Sequence, residues 1–298
     1  MNGVERINLA IPNPGATDRL SLPHYRGASF NSTFSSWWIN YFQGFMRFNL
    51  ALPRPQGVSL ILRLCSTTYQ GSTSCPITVI VNDTRLFRNW DPHITNFYDK
   101  SWYIPASLLR SGNNDIIVYL SGGRTAVLIQ GFSVMALEMQ RQQQEYWCWS
   151  ALSTSTSHFF DAKSPWTQCS LVNAEFGEND CCENGSSPRC SRPWNTASGL
   201  ECTGNLASAR DEPQPVETVE GQINIGRPMG ASLSWGSGVG HAVALSGVGH
   251  VQTMVAVEDP FIGTSYMPYL TFRERYQGKG RWVRSYFTKP NSEHADGR

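Results

Sequence analysis

Short apolar runs broken by Gly, Pro, Asn and Ser dominate the first half of the chain. "FQGFMRFNLAL", "VSLILRLC", "PITVIVNDTRLF", "NDIIVYLSG" and "TAVLIQGFSVM" are rich in β-branched and aromatic side chains, the composition of strands bounded by turns. In "PITVIVND" the alternation places Ile77, Val79 and Val81 on one face, and in "NDIIVYL" it does the same for Ile116, Val118 and Leu120. Strands half buried between two stacked sheets need that spacing. Residues 1–137 are therefore predicted to form an all-β jelly-roll sandwich without a helix of any length.

From residue 138 the pattern changes. "LEMQRQQQEYWCWSALSTSTSHFF" fits a helix beginning around Cys148. A Gly-, Ser-, Asn- and Pro-rich segment follows and reads as loop, and three strands come after it in "PMGASLSW", "HAVALSGV" and "TMVAVEDP". Residues 138–298 are thus expected to be a second domain, of α+β type. The total of 298 residues suits two units, each long enough to bury its own core. No internal repeat links the halves.

Charge narrows the partners. Lys and Arg number 24 against 23 Asp and Glu, a formal net charge of +1, and no block of like charge occurs. Neither nucleic acid nor an anionic membrane surface is indicated. No apolar run approaches the roughly 18 residues that cross a bilayer, and "MNGVERINLA" has no leader character, so the chain reads as soluble.

Cysteine usage adds more. Five of the eight cysteines, Cys169, Cys181, Cys182, Cys190 and Cys202, crowd into the polar segment, which has little apolar content to order it. Such a segment calls for covalent staples. Zinc is the competing use, but there is no C-x-x-C pair, and adjacent Cys181 and Cys182 are poorly placed to serve one tetrahedral ion, so no metal or cofactor is expected. The expectation is two crossing bridges among Cys169, Cys181, Cys182 and Cys190, a third between Cys65 and Cys75 closing "STTYQGSTS", and Cys202 left over. Disulfides imply an oxidising compartment and hence a secreted or translocated protein. If that compartment is eukaryotic, the sequons at Asn31, Asn82 and Asn184 are open to glycosylation.

Cys148 stands apart from the other cysteines. It lies between Trp147 and Trp149 at the expected start of a helix, where free N–H groups and the positive end of the dipole favour an anion. An ordinary thiol, with a pKa of roughly 8.5, is only a few per cent ionised at neutral pH, so a nucleophile needs such a place and a basic partner. His24, His93, His250 and His294 sit in unmarked loops or near the tail, and His158 is too far along the helix to reach the thiol. His241 differs, because it opens the apolar strand "HAVALSGV" after "GSGVG". The next strand ends at Asp259, and an antiparallel pairing would lay that carboxylate beside the ring and hold its tautomer. Trp147 and Trp149 read as packing residues.

"QRQQQEYWCWSA", "GHAVALSGV" and "VAVEDPF" resemble a small papain-like cysteine protease of the bacterial family typified by the plant-pathogen effector AvrRpt2, over about residues 138–288. The cluster "QCSLVN…DCCENGSSPRCSRPW" is similar to the region after the catalytic helix in that family. The resemblance implies a thiol endopeptidase with Cys148 as nucleophile, His241 as proton acceptor and donor, and Asp259 as the group that orients His241. It further implies that Gln142, six positions before the thiol, donates to the oxyanion; a shifted register would hand that part to Gln143 or Gln144. Two features depart from the larger papain pattern: "EYWCW" stands where Gly and Ser precede the thiol, and Asp replaces Asn as the third member.

The stretch "VNDTRLFRNWDPHITNFYDKSWYIPASLLRSGNNDIIVYLSG" resembles a galactose-binding-like jelly roll in its "VN" turn, "WYIP" step and "LLRSGNN" corner. That implies a module for carbohydrate or for a partner protein, with Trp90, Asp91 and His93 as candidate contacts, or else a simple brace. The predicted function is a secreted cysteine endopeptidase acting on protein or peptide. Two alternatives stay open: a glutamine deamidase or transglutaminase-type toxin that forms the same thioacyl intermediate, and a non-catalytic carbohydrate-binding protein that keeps a worn protease fold.

Overall fold

The computed structural model of the chain describes residues 3–8, 20–26, 28–31, 36–39, 45–68, 70–123, 125–236, 240–249 and 253–291, the strands before Ile39 by their backbone. His250, His294 and the side chains of His24 and Asn31 lie outside that description. The chain divides into two compact units, Glu5–Met135 and Met1–Val4 with Ala136–Arg298.

The first unit is built of strands: β1 (Gly3–Asn8), β2 (Leu20–Arg26), β3 (Ala28–Asn31), β4 (Ser36–Ile39), β5 (Phe45–Leu52), β6 (Val58–Ser66), β7 (Ile77–Val81), β8 (Thr84–Trp90), β9 (Tyr98–Ile104), β10 (Gly112–Leu120) and β11 (Val127–Ala136). One sheet runs β3-β4-β11-β6-β9, with β1 also on β11, and the other runs β2-β5-β10-β7-β8. Ile77, Val79, Val81, Ile116, Val118 and Leu120 are all buried between the sheets. Across the gap Phe48 meets Phe132 at 4.1 Å and Phe87 stacks on Trp102 at 4.9 Å between ring centroids. This is the two-sheet sandwich that alternation demands.

"PITVIVNDTRLF" is not one strand but the hairpin β7–β8. Asn82 and Asp83 take φ of 46° and 66°, the two positive values of a type I′ turn. The "LLRSGNN" corner locks onto that turn through Asn114. Its Oδ1 accepts from Asn82 Nδ2 (2.7 Å) and Arg110 N (2.8 Å), and its Nδ2 donates to the carbonyls of Leu50, Arg110 and Gly112. Asn82 is engaged on both ends, since Nδ2 also donates to Leu108 O and Oδ1 accepts from Asp115 N. The sequon at Asn82 is therefore a structural turn and not a free glycan acceptor, whereas Asn184 is exposed.

One expectation for this unit needs correction. Cys65 and Cys75 carry free thiols, not a disulfide. Burial pushes them up to about 11 and about 12, which keeps them protonated and poorly reactive. The loop between them is closed instead by hydrogen bonds: Ser66 N to Ile94 O (2.7 Å), Thr67 N to Ala126 O (2.9 Å), and Ser74 Oγ and Cys75 N to the Asp91 carboxylate (2.7 and 3.0 Å). Asp91 is thus a loop anchor. Trp90 is a packing residue, edge-on to Trp102 at 5.0 Å with Lys100 Nζ 5.9 Å over its ring. His93 is exposed beside Asp91 at 3.5 Å. Trp90 and Asp91 are thus engaged within the unit, while His93 is exposed.

In the second unit follow α1 (Cys148–Phe160), α2 (Gln168–Phe176), α3 (Thr196–Cys202), β12 (Leu206–Arg210), α4 (Val216–Asn224), β13 (Met229–Ser234), β14 (Gly240–Val248), β15 (Met254–Asp259), β16 (Gly263–Pro268), α5 (Tyr269–Arg275) and β17 (Arg281–Thr288). The antiparallel sheet runs β12-β17-β13-β14-β15-β16, and α1 packs against β14, α2 and α3. Helix α1 is buried from Trp149 to Ser157 despite the polar "STSTS". Its hydroxyls find internal acceptors: Ser150 Oγ donates to Gln168 O, Ser153 Oγ to Trp149 O and Thr154 Oγ1 to Ser150 O, so burial leaves none of these three unpaired.

The cysteine-rich segment is not wholly loop, since α2 and α3 lie within it. Cys169 bonds Cys182 and Cys181 bonds Cys190, two interleaved bridges, with Cys202 free. They close over an apolar cluster of Trp147, Trp149, Leu171 and Val172, and Trp147 Nε1 donates to Cys190 O at 2.9 Å. Asp180 gathers near Cys181 and Cys190 as metal ligands would, but both sulfurs are already held in a disulfide.

Candidate active site

Cys148 is the first residue of α1, half-buried and unbonded to any other sulfur. The preceding Trp147 makes no side-chain cap, because its indole is turned into the cysteine-rich cluster, and the N-terminal end of the helix dipole is left facing the thiol. His241 enters from the start of β14, opposite Leu233 of β13. Ala244 pairs with Glu258, so strand alternation turns Asp259 to the face of β15 that His241 occupies on β14, while Glu258 points the other way, to Ser246 and Thr264.

His241 Nε2 lies 2.9 Å from Asp259 Oδ1, and Cys148 lines the same cavity as the ring. With Nε2 on the carboxylate, Nδ1 is the nitrogen left for the thiol. Burial lowers the tendency of this ring to carry a proton, but hydrogen bonds to Asp259 and Cys148, with their charges, outweigh it and push the ring up to about 9. Asp259 is buried, which on its own would raise it. The bond to His241 and the donors Phe261 N–H (2.7 Å) and Tyr276 O–H (2.8 Å) hold it instead below the usual carboxylate range. Ile262 N–H adds a further bond at 3.2 Å.

Gln142 reaches the same place. Its backbone N–H donates to Pro260 O (2.8 Å), which ties the lead segment to the end of β15, and its Nε2 donates to the carbonyls of Gln144 and Glu145 (3.0 and 2.7 Å). Its Oε1 is buried without a partner among the described residues. Gln143 is held by its backbone to Gln168 Oε1, and the Gln144 amide lies against Gly185; neither lines the cavity. That cavity, of about 470 Å³, brings together Gln142, Cys148, His241 and Asp259. Trp194 forms one wall, with its Nε1 donating to Glu175 at 2.5 Å, and the Trp235 ring flanks His241 at 6.1 Å. His158 is elsewhere, bonded to Trp166 O at 2.9 Å.

Residues 131–277 match the model of a family described as papain-like cysteine protease AvrRpt2. The C-terminal unit belongs to that family. The matched range takes in Gln142, Cys148, His241 and Asp259 and also Tyr276 and Trp235, which sequence reasoning passed over. Neither has a local marker: Tyr276 sits in "RERYQGKG", remote from every motif, and only the chain's return through α5 sets it under Asp259. Comparison with curated proteins finds no match.

Among solved structures, a family 35 carbohydrate binding module from Clostridium thermocellum is 17% identical, covering 45% of this chain and 92% of that one with a TM-score of 0.29. The CBM35 from Paenibacillus barcinonensis is 10% identical over 44% of this chain and 98% of its own, with a TM-score of 0.32. The CBM36-1 domain of a xylanase from the hindgut metagenome of Trinervitermes trinervoides is 8% identical over 46% and 99%, with a TM-score of 0.34.

Proposed function

We propose that this chain is a cysteine endopeptidase, secreted or translocated into an oxidising compartment. The observation that carries the reading is the hydrogen-bonded pair His241–Asp259 in one cavity with Cys148 at the open end of a helix, within a unit of a papain-like protease family. The sulfur of Cys148, giving its proton to His241, attacks the scissile carbonyl carbon. The carbonyl π pair moves to oxygen, whose charge the Cys148 backbone N–H and the Gln142 amide, both at the cavity, would take up. To serve there, Gln142 must exchange one of its two carbonyl partners for the oxyanion. Collapse expels the amine, which leaves with the proton from His241, and a water then cleaves the thioester with His241 taking its proton. Asp259 keeps the imidazolium oriented throughout.

The interleaved disulfides support an oxidising location. For the N-terminal unit we propose a target-holding role, for protein or carbohydrate, because it is a compact body of its own and the cleft is built from residues 142–277 alone. Binding of the full-length Cys148→Ala protein to glycan arrays and immobilised proteins tests that role, and silence on both overturns it. For the enzyme, the test is incubation with unrelated intact proteins followed by mass spectrometry. Cleaved bonds with wild type and none with Cys148→Ala, at unchanged circular dichroism, support the reading. Glutamine converted to glutamate without cleavage replaces endopeptidase by deamidase, and equal products from both proteins overturn it.

A further inference from the structure

We propose that Tyr276 is a positioning residue, whose phenol fixes the rotation of the Asp259 carboxylate and through it the ring of His241. The proposal rests on reading the cleft as a cysteine-protease site. Rotation about the Cβ–Cγ bond of an aspartate is soft and roughly two-fold, so a carboxylate does not by itself offer a ring one fixed acceptor. Here Oδ1 takes His241 Nε2 and the N–H groups of Phe261 and Ile262, while Oδ2 takes Tyr276 O–H at 2.8 Å. Turning the carboxylate would break bonds on both oxygens together. Among the described residues the phenol is the one side chain on Oδ2, and Tyr276 is 1% exposed, so water does not substitute for it in the folded protein.

Tyr276 is itself firmly held. Its backbone exchanges two hydrogen bonds of 2.7 Å with Gly280, across a turn in which Gln277 and Gly278 take φ of 49° and 84°. Its ring packs on Phe272, which packs in turn on Trp282. The same turn supports the other flank of the histidine. A Cβ on Gly280 would meet the Trp235 ring at 3.1 Å, so this glycine lets Trp235 settle on the turn while flanking His241. Burial and the Asp259 charge both raise the Tyr276 phenol, so it remains a donor across the working pH range. Glu145 and Tyr146 are the remaining ionisable side chains lining the cavity, and both stay in place in the variants below.

Tyr276→Phe keeps the ring and deletes the hydroxyl. The expected result is a roughly tenfold fall in kcat with KM within about twofold, since the lost bond acts on orientation rather than on substrate. In parallel, the 13C NMR titration midpoint of His241, about 9 in the wild type, falls by about one pH unit. That titration needs no substrate, so it judges Tyr276 even for a protein that cleaves nothing, a result that would count against the protease reading alone. An unmoved midpoint, whatever happens to kcat or to melting temperature, overturns the positioning role. A second comparison stands if the single variant folds poorly: with Asp259→Asn already present there is no carboxylate charge for the phenol to aim at the ring. Adding Tyr276→Phe there should leave the His241 midpoint where it was, and a further fall of similar size overturns the proposal.

Discussion

Replacing Asp259 by Asn removes one charge and little else, which makes it the sharpest probe of the cleft. The amide oxygen can keep the place of Oδ1 among its three donors, and the amide nitrogen can donate to the Tyr276 oxygen once that hydroxyl turns. Raising His241 from 6.5 to about 9 corresponds to roughly 3 kcal/mol of preference for its charged form. Asp259 supplies both a hydrogen bond, the largest of the raising causes, and a charge, so about half or more of that preference belongs to it. The His241 midpoint in Asp259→Asn should therefore lie between about 7 and 8 by histidine NMR, and the alkaline limb of kcat/KM should move down with it. Stability should follow. A group raised on folding contributes fully below its unfolded value near 6.5 and loses that contribution as pH rises through about 9. Between pH 6 and pH 10 the wild type should lose about 1.5–2.5 kcal/mol more urea stability than the variant. A variant whose ring still titrates near 9, or whose stability has the same pH slope as wild type, would refute the assignment of Asp259 as the source of the shift.

Non-reducing peptide mapping of protein made under oxidising conditions should recover Cys169–Cys182 and Cys181–Cys190 linked and Cys65, Cys75, Cys148 and Cys202 as thiols; four thiols among the first group would remove the argument for secretion. Breaking the buried bridge with Cys181→Ser and Cys190→Ser should cost about 2–4 kcal/mol by denaturant titration, because the loop it closes carries the partner of Trp147 Nε1. In the N-terminal unit, Asn114→Asp would aim a carboxylate at the carbonyls of Leu50, Arg110 and Gly112. A loss of about 3 kcal/mol or more is expected, and a melting temperature unchanged by this substitution would contradict the corner described above.

Much of the architecture was legible because strand alternation and turn chemistry are local rules. Ile77, Val79 and Val81 share a face whatever surrounds them, and "HAVALSGV" and "VAVEDP" could be laid side by side on paper, with the histidine at the start of one and the aspartate at the end of the other. Four polar cysteines in a glycine- and serine-rich stretch likewise point to staples, since adjacent residues bond outward more easily than to each other.

What chain pattern could not show depends on distance in space. Cys65 and Cys75 flank a loop that looks fit for a bridge, yet the sandwich closes it by hydrogen bonds that the loop donates to Ile94, Ala126 and Asp91, residues remote in sequence. Trp90 and Asp91, offered as ligand contacts, are engaged by Trp102, Ser74 and Cys75. The choice of Gln142 over its two neighbours turns on which amide faces the cavity, a matter of backbone direction in an irregular lead. Tyr276 was invisible for the same reason. A motif records residues held at fixed chain spacing, whereas the second oxygen of Asp259 is satisfied by a phenol that only the packing of α5 and β17 delivers, and burial of that oxygen is what makes a donor there necessary.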